Sequence, residues 1–88
     1  MRLDQFLKVS RIIKQRSAAK WACDAGRVEV LGRKAKAGST VQVGDEICIS
    51  LRDRYLRIRV RELPKGNVSK ERAHMLYDLI EERDASNS

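Results

Sequence analysis

The amino-acid sequence predicts a small α+β domain, in which two short helices pack against an antiparallel or mixed β-sheet and a third helix follows at the C-terminal end. Three observations support this fold class. Apolar residues recur at helical spacing near both ends of the chain, and they alternate with polar or charged residues in its centre. In addition, 88 residues suffice for only one core. We expect a single domain over residues 1–82 and a flexible tail over residues 83–88.

The first part of the chain predicts a pair of helices that form an αα hairpin. The apolar face of the first helix consists of Leu3, Phe6 and Leu7. The second helix is expected to begin near Ser17, whose hydroxyl can accept a hydrogen bond from a free backbone N–H group. It is expected to end at Gly26, where a left-handed residue commonly terminates a helix. Small residues between these two positions allow the helices to approach closely.

The middle of the chain predicts several β-strands separated by turns. Residues 28–30 alternate and precede a turn at 31–32, and residues 41–43 alternate before a turn at 44–45. Two longer strands follow, joined by a hairpin loop over residues 52–54. Their apolar faces consist of Ile47, Ile49 and Leu51 in one strand and Leu56, Ile58 and Val60 in the other. The opposite face of the last strand presents Tyr55, Arg57, Arg59 and Arg61.

The C-terminal part of the chain predicts a third helix, from Ser69 to Glu82. Four apolar residues recur there at the spacing of one helical face, and two more widen that face. These residues are Ala73, Leu76, Tyr77 and Ile80, with Met75 and Leu79 beside them.

The positive charge of the chain is concentrated in its first part. The formal net charge is +7, and residues 1–36 alone contain ten Lys or Arg residues and three acids. Residues 67–88 contain three basic and five acidic residues. Solubility alone does not require such segregation, whereas a polyanionic partner does. The predicted RNA-binding residues on the two helices are Arg2, Lys8, Arg11, Lys14, Arg16 and Lys20, and those on the hairpin behind them are Arg27, Arg33, Lys34 and Lys36.

Aromatic residues are scarce, which favours recognition of folded RNA through its shape and backbone over a platform that stacks single-stranded bases. Phe6, Trp21, Tyr55 and Tyr77 are the four aromatic residues. Two roles are open for Trp21. Packing in the core or at its edge is favoured over stacking against a base.

Catalysis has little support in the sequence, and we expect a protein that is not an enzyme. The single histidine, His74, has no evident catalytic partner and is more often structural or solvated. No phosphate-binding glycine loop and no metal-ligand spacing is present, so we expect neither a cofactor nor a metal. Cys23 and Cys48 occur in apolar patterns without a disulfide framework. No apolar segment is long enough to cross a bilayer, and the cytoplasm is the expected location.

Four separated motifs resemble the RNA-binding domain family named after ribosomal protein S4. They are Arg2-Leu3-Asp4-x-Phe6-Leu7, Arg16-Ser17-x-Ala19, Gly26-x-Val28-x-Val30-x-Gly32 and Val43-Gly44-Asp45. The chain departs from the usual family pattern at two positions. Gln15 stands where Ser is common, and Leu31 stands where Asn is common before Gly32. The resemblance implies an S4-like αα hairpin on a small sheet, and RNA binding.

Within that family, the chain is most similar to the small S4-domain proteins of bacterial ribosome-associated quality control. This resemblance implies binding to obstructed large ribosomal subunits, with contacts to ribosomal RNA (rRNA) and to peptidyl-tRNA. It also implies support for C-terminal alanine tailing, together with a partner factor that recruits alanyl-tRNA. By matching position, Arg2 and Arg16 are the leading RNA contacts, with Asp4, Lys8 and Arg11 beside them. Asp4 is expected to orient an arginine, because phosphate repels a carboxylate. We expect a monomer.

Three alternative functions are open at this point. The related heat-shock S4 proteins also bind blocked large subunits, although that family resemblance implies a longer and more basic C-terminal extension. A protein-interaction module could use the strand face that presents Tyr55 and the alternate arginines. The S4-type domain is also appended to pseudouridine synthases and tyrosyl-tRNA synthetases, but 88 residues leave no room for those catalytic domains.

Overall fold

The structure, a computed structural model, describes residues 1–84 as three helices and a five-stranded sheet. In chain order the elements are α1 (Leu3–Val9), α2 (Arg16–Asp24), β1 (Val28–Val30), β2 (Arg33–Lys34), β3 (Glu46–Ser50), β4 (Arg54–Val60), α3 (Lys70–Ala73) and β5 (Tyr77–Asp84). The strand order is β2-β1-β3-β4-β5, and every neighbouring pair is antiparallel. The predicted α+β class is therefore confirmed, and between these five strands the sheet is antiparallel throughout.

One hydrophobic core joins α1 and α2 to one side of the sheet. Leu3, Phe6 and Leu7 of α1 are completely buried, which confirms the predicted apolar face. In β3 and β4 the buried residues alternate with more exposed ones, as a two-residue period requires when only one side of a sheet is covered. Cys48 and Arg57 therefore lie on the open side of the sheet, away from the helices.

Helix α2 begins one residue earlier than the sequence predicts. Its N-cap is Gln15, no side chain caps it, and Ser17 lies inside its first turn. The predicted Ser17 cap is wrong because the helix has already started before it: the Ala19 N–H donates to the Gln15 carbonyl oxygen at 3.0 Å. The end of the helix is as predicted, since Gly26 adopts a left-handed conformation with φ of 75°.

The segment before β3 crosses the N-terminal end of α1 and forms no strand at residues 41–43. The Leu3 N–H donates to the carbonyl oxygen of Ser39 at 2.8 Å. The Asp4 N–H donates to the carbonyl oxygen of Ala37 at 3.1 Å. These carbonyl groups satisfy free N–H groups at the start of α1. The predicted strand at residues 41–43 is wrong, because Val41 is buried while Val43 is 61% exposed, so the two valines do not share a buried strand face.

The predicted helix from Ser69 to Glu82 is wrong over most of its length. Helix α3 covers only Lys70–Ala73, and β5 pairs with β4 along Tyr77–Asp84, with a register shift opposite Arg57 and Ile58. Without β5, β4 would be an edge strand with unpaired backbone groups. Arg83 and Asp84 of the predicted tail belong to β5, and residues 85–88 lie outside the described residues.

Candidate nucleic-acid interface

Asp4 holds two arginines from different elements at the N-terminal end of α1. Its Oδ1 accepts a hydrogen bond from Arg2 Nε at 3.2 Å, and its Oδ2 accepts one from Arg16 Nε at 3.4 Å. The Asp4 side chain is only 4% exposed, whereas the side chains of Arg2 and Arg16 are 53% and 52% exposed. Asp4 thus lies below the surface and orients both guanidinium groups, and it does not itself face a ligand.

These contacts favour the ionised form of the Asp4 carboxyl group. Burial acts to raise the pKa of Asp4, but the Arg2 hydrogen bond and the positive charges of Arg16 and Arg2 outweigh it. The Gln5 backbone N–H, which donates to Asp4 Oδ1 at 2.8 Å, lowers the pKa further. The net result is a pKa below the ordinary aspartate value, so Asp4 remains ionised at neutral pH. The two arginines therefore keep a fixed anchor under physiological conditions.

Arg2 also borders a basic concavity of about 620 Å³ between α2, β2 and the loop that follows β2. The other cations in its lining are Lys20, Lys34 and Lys36. The Gly38 backbone lies close to the Arg2 side chain, since a Cβ on Gly38 would lie 3.6 Å from the Arg2 guanidinium group. The arrangement brings four cations from three separate parts of the chain around one concave surface.

A second basic concavity, of about 630 Å³, contains three further cations of the αα hairpin. Lys8, Arg11 and Lys14 line it, together with Lys70 and His74. Within residues 1–84, no residue lines both concavities. Most of the predicted cations are therefore divided between two surfaces. Sequence analysis did not include Lys70 or His74, because the wrong helix assignment hid their proximity to the first two helices.

Three of the predicted RNA-binding cations line neither concavity: Arg16, which shares Asp4 with Arg2, and also Arg27 and Arg33. Arg33 is exposed on the short edge strand β2. The Arg27 guanidinium group lies 5.3 Å from the ring centre of Trp21, in cation–π contact. The structure thus brings neither of the last two residues together with the Arg2 and Arg16 pair.

With the exception of Arg52, the arginines of the C-terminal half differ from most of the N-terminal cations because, within the described residues, they contact carboxylates. Arg57 and Arg59 both contact Glu46, at 3.1 and 3.2 Å. The further pairs are Arg54 with Glu82, Arg61 with Asp78, Arg72 with Glu62 and Arg83 with Glu81. Among residues 1–84, by contrast, no salt bridge joins a carboxylate to Lys8, Arg11, Lys14, Lys20, Arg27, Arg33, Lys34 or Lys36.

This difference in pairing determines which surface can attract a polyanion. Charges that are paired within the protein contribute little to long-range attraction, whereas a group of unpaired cations sets a positive potential. The strand face with Tyr55, Arg57 and Arg59 is accordingly a weak candidate for RNA. It is internally neutralised, and Arg83 stacks over the Tyr55 ring at 4.5 Å.

The described part of the chain offers no site for a metal ion. In residues 1–84, no three His, Cys, Asp or Glu side chains come close enough to ligate one. Cys23 and Cys48 are free thiols, and burial, with the negative charges of Asp4 and Asp24, raises the pKa of Cys23 to about 11. Within the same residues, the helices are too short and too polar to span a bilayer.

Comparisons with known proteins agree with the geometry. The S4 domain family model matches residues 1–47. An RQC P-site tRNA stabilizing factor of Halalkalibacterium halodurans is 44% identical, over 100% of this chain and 99% of its own. The Bacillus subtilis protein of the same name is also 44% identical, over 93% of this chain and 94% of its own. The trimeric structure of Vibrio cholerae heat shock protein 15 superposes with a TM-score of 0.82 at 28% identity, over 90% of this chain and 80% of that one.

Proposed function

The chain belongs to the S4 domain family, to the group that includes the RQC P-site tRNA stabilizing factors, and we propose that it is a non-enzymatic adaptor that binds RNA on the large ribosomal subunit. The observation that supports this proposal most directly is the Asp4 anchor. It presents two half-exposed arginines at the surface. Fixed guanidinium groups bind phosphate oxygens at a lower entropy cost than mobile ones, because less freedom is lost on binding.

The two basic concavities suggest how the adaptor meets its RNA. Each has several unpaired cations, and they share no lining residue. We assign them to two RNA segments, one in rRNA and one in peptidyl-tRNA on an obstructed large subunit. The relatives are named for stabilising a P-site tRNA, and a protein with two separate phosphate-binding surfaces could hold a tRNA against rRNA.

On this basis the protein supports C-terminal alanine tailing in the cytoplasm, alongside a partner factor that recruits alanyl-tRNA. The lining of the two concavities, which is rich in Lys and Arg side chains, supports a role in binding RNA. The contribution of the protein is to keep the peptidyl-tRNA in place while the partner factor supplies the next alanine.

The test is sedimentation of the protein with large ribosomal subunits that retain peptidyl-tRNA. Arg16→Ala and Lys8→Ala should each reduce the bound fraction, because the first removes one of the two arginines that Asp4 orients and the second removes a cation of the second concavity. Arg61→Ala is the matched control, since Asp78 already pairs with Arg61. Unchanged sedimentation of both test variants would contradict the proposal. So would association that survives nuclease treatment, which would favour a protein-interaction module.

A heat-shock type of activity remains the second candidate, because the Vibrio cholerae heat shock protein has nearly the same fold. The two candidates differ in what loss of the protein does in cells. If the tailing proposal is right, a deletion strain loses alanine tails from stalled chains. If the heat-shock candidate is right, tails persist while large subunits with peptidyl-tRNA accumulate.

A further inference from the structure

Trp21 is the only tryptophan of the chain, and it is 60% exposed on helix α2. The sequence favoured packing in the core or at its edge for this residue. A large aromatic side chain that stays in water loses the free energy that its burial would provide. Its neighbour Lys20 lines the first basic concavity, so Trp21 lies next to the proposed RNA-binding surface.

The indole ring forms part of a separate groove of about 470 Å³, in the size range of small-ligand pockets. The apolar residues of the groove are Ile13, Ala18, Ala22 and Leu51. Its charged lining residues are Arg27 and Arg52, and no carboxylate is among the lining residues. The groove therefore combines a flat aromatic surface with two positive charges.

The backbone holds Arg27 firmly in place beside this groove. The Arg27 N–H donates to the Ala22 carbonyl oxygen at 2.9 Å, and the Arg27 carbonyl oxygen accepts a hydrogen bond from the Ser50 N–H at 2.8 Å. Arg27 is thus tied to α2 on one side and to β3 on the other. Its guanidinium group lies 5.3 Å from the indole ring centre, which keeps the positive charge next to the aromatic surface.

We propose that the Trp21 groove binds one unpaired nucleotide of the RNA, with its base against the indole ring and its phosphate near Arg27 and Arg52. Unpaired bases in RNA are commonly recognised by stacking on aromatic rings and on guanidinium planes. An apolar peptide would match the groove walls but would leave both arginines without a partner. The proposal goes beyond backbone binding, and it rests on the proposed function only in that the ligand is RNA.

The experiment measures the affinity of the whole protein for two chains of equal length and charge. One is a single-stranded oligoadenylate of about ten nucleotides, and the other is an abasic chain with the same phosphates. The wild-type protein should prefer the oligoadenylate about 5- to 150-fold, because stacking strengthens binding per base by that factor. Because Trp21 is the only tryptophan, its fluorescence reports on the groove directly, and the oligoadenylate should quench it.

Two variants and one control test the role of the indole ring. Trp21→Ala should remove the preference and leave the affinity for the abasic chain unchanged, and Trp21→Phe should retain part of it. Met75→Ala is the control, because Met75 is an equally exposed apolar residue (61%) that lies outside the groove, just before β5. This control should keep the full preference.

The outcomes separate this proposal from the proposed function. Equal affinity of the wild-type protein for both chains, or the same preference in Trp21→Ala, would overturn the groove assignment while leaving RNA binding intact. Tryptophan emission that responds to an apolar peptide but not to the oligoadenylate would also overturn it, in favour of a protein segment. If neither chain binds, the groove assignment fails, whereas the proposed function concerns folded RNA on the large subunit and is decided by the sedimentation experiment.

Discussion

Asp4 shows how one buried carboxylate can organise an otherwise flexible surface. Long arginine side chains lose conformational entropy when they bind, and an internal partner removes part of that loss beforehand. Asp4 does this for Arg2 and Arg16 together, while about half of each arginine side chain stays exposed. The family resemblance implied that Asp4 orients an arginine, and the structure shows that it contacts two.

The contribution of Asp4 to stability should depend on pH. The pKa of Asp4 is below its ordinary value of 3.8 in the folded protein, so the unfolded chain takes up a proton first as the pH falls. The stabilisation is therefore fully present above that ordinary value, and it is lost as the pH falls through the folded-state pKa. Urea unfolding of the wild-type protein and of Asp4→Asn should differ at neutral pH, and the difference should shrink at about pH 3. A difference that stays constant with pH would contradict this assignment.

Leu31 adopts a left-handed backbone conformation, which asparagine adopts more easily than leucine. Its φ is 54°, and that of Gly32 is 82°, so these two residues form the left-handed pair of a tight hairpin turn between β1 and β2. A left-handed conformation costs a residue with a Cβ about 1–2 kcal/mol, and asparagine tolerates it better. The family commonly has Asn at this position, so the departure noted in the sequence changes the energy of the turn and not its geometry.

Leu31→Asn should therefore raise the free energy of unfolding by about 1 kcal/mol. The loss of apolar packing is small, because the Leu31 side chain is 68% exposed. Leu31→Val is the matched comparison and should lower stability, since a β-branched residue resists this conformation more strongly. Chemical denaturation of the three proteins measures both effects. An Asn variant less stable than the wild type would show that the turn is not strained.

Strand β5 is the element that sequence patterns misidentified. Residues 69–82 have apolar residues at helical spacing, and local periodicity cannot show that β4 needs a neighbour. Charge pairing across strands was the available signal. Arg57 lies opposite Glu81, and Arg59 lies opposite Asp78. Opposite charges on facing strands favour an antiparallel pair, and β5 also satisfies backbone groups of β4 that a helix over these residues would leave unpaired.

The turn into β5 allows a test of side-chain packing at two adjacent residues. Leu76 is fully buried, and its carbonyl oxygen accepts hydrogen bonds from the N–H groups of Arg61 and Glu62 at 2.8 and 3.2 Å. Leu76→Ala should cost about 2–5 kcal/mol of unfolding free energy, as for other buried leucines. Met75→Ala should change it by less than about 0.5 kcal/mol, because Met75 is exposed. Similar costs for the two variants, in thermal or denaturant unfolding, would contradict the burial of Leu76 and the exposure of Met75.

Over the whole molecule, the separation of ion-paired from unpaired cations identifies the binding surface more clearly than the net charge does. Composition predicted a basic protein, and the position of Lys and Arg along the chain predicted a basic N-terminal part. The spacing of Leu3, Phe6 and Leu7 predicted α1 correctly, because that pattern involves only residues close together in the chain. The sequence could not show that the cations divide into two concavities, because Lys70 and His74 reach theirs through tertiary contacts with α1.

The salt dependence of RNA binding should reveal which cations take part. Each phosphate neutralised by the protein contributes about −0.7 to −0.9 to the slope of log affinity against log salt concentration. Lys34→Gln should reduce the magnitude of that slope by about one, because Lys34 is an unpaired cation of the first concavity. Arg61→Gln should leave the slope unchanged, since Asp78 already balances its charge. Equal effects of the two substitutions would show that internal pairing does not select the RNA-binding residues.

The different environments of the two thiols have a practical consequence. Cys23 is buried, and its raised pKa keeps it protonated and slow to react, because the thiolate is the reactive form. Cys48 is half-buried on the side of the sheet that the helices leave open. A maleimide dye should therefore attach to the natural sequence at one position, on the surface opposite the helices. The position of the bound protein on a ribosome could then be followed by energy transfer without engineering a cysteine.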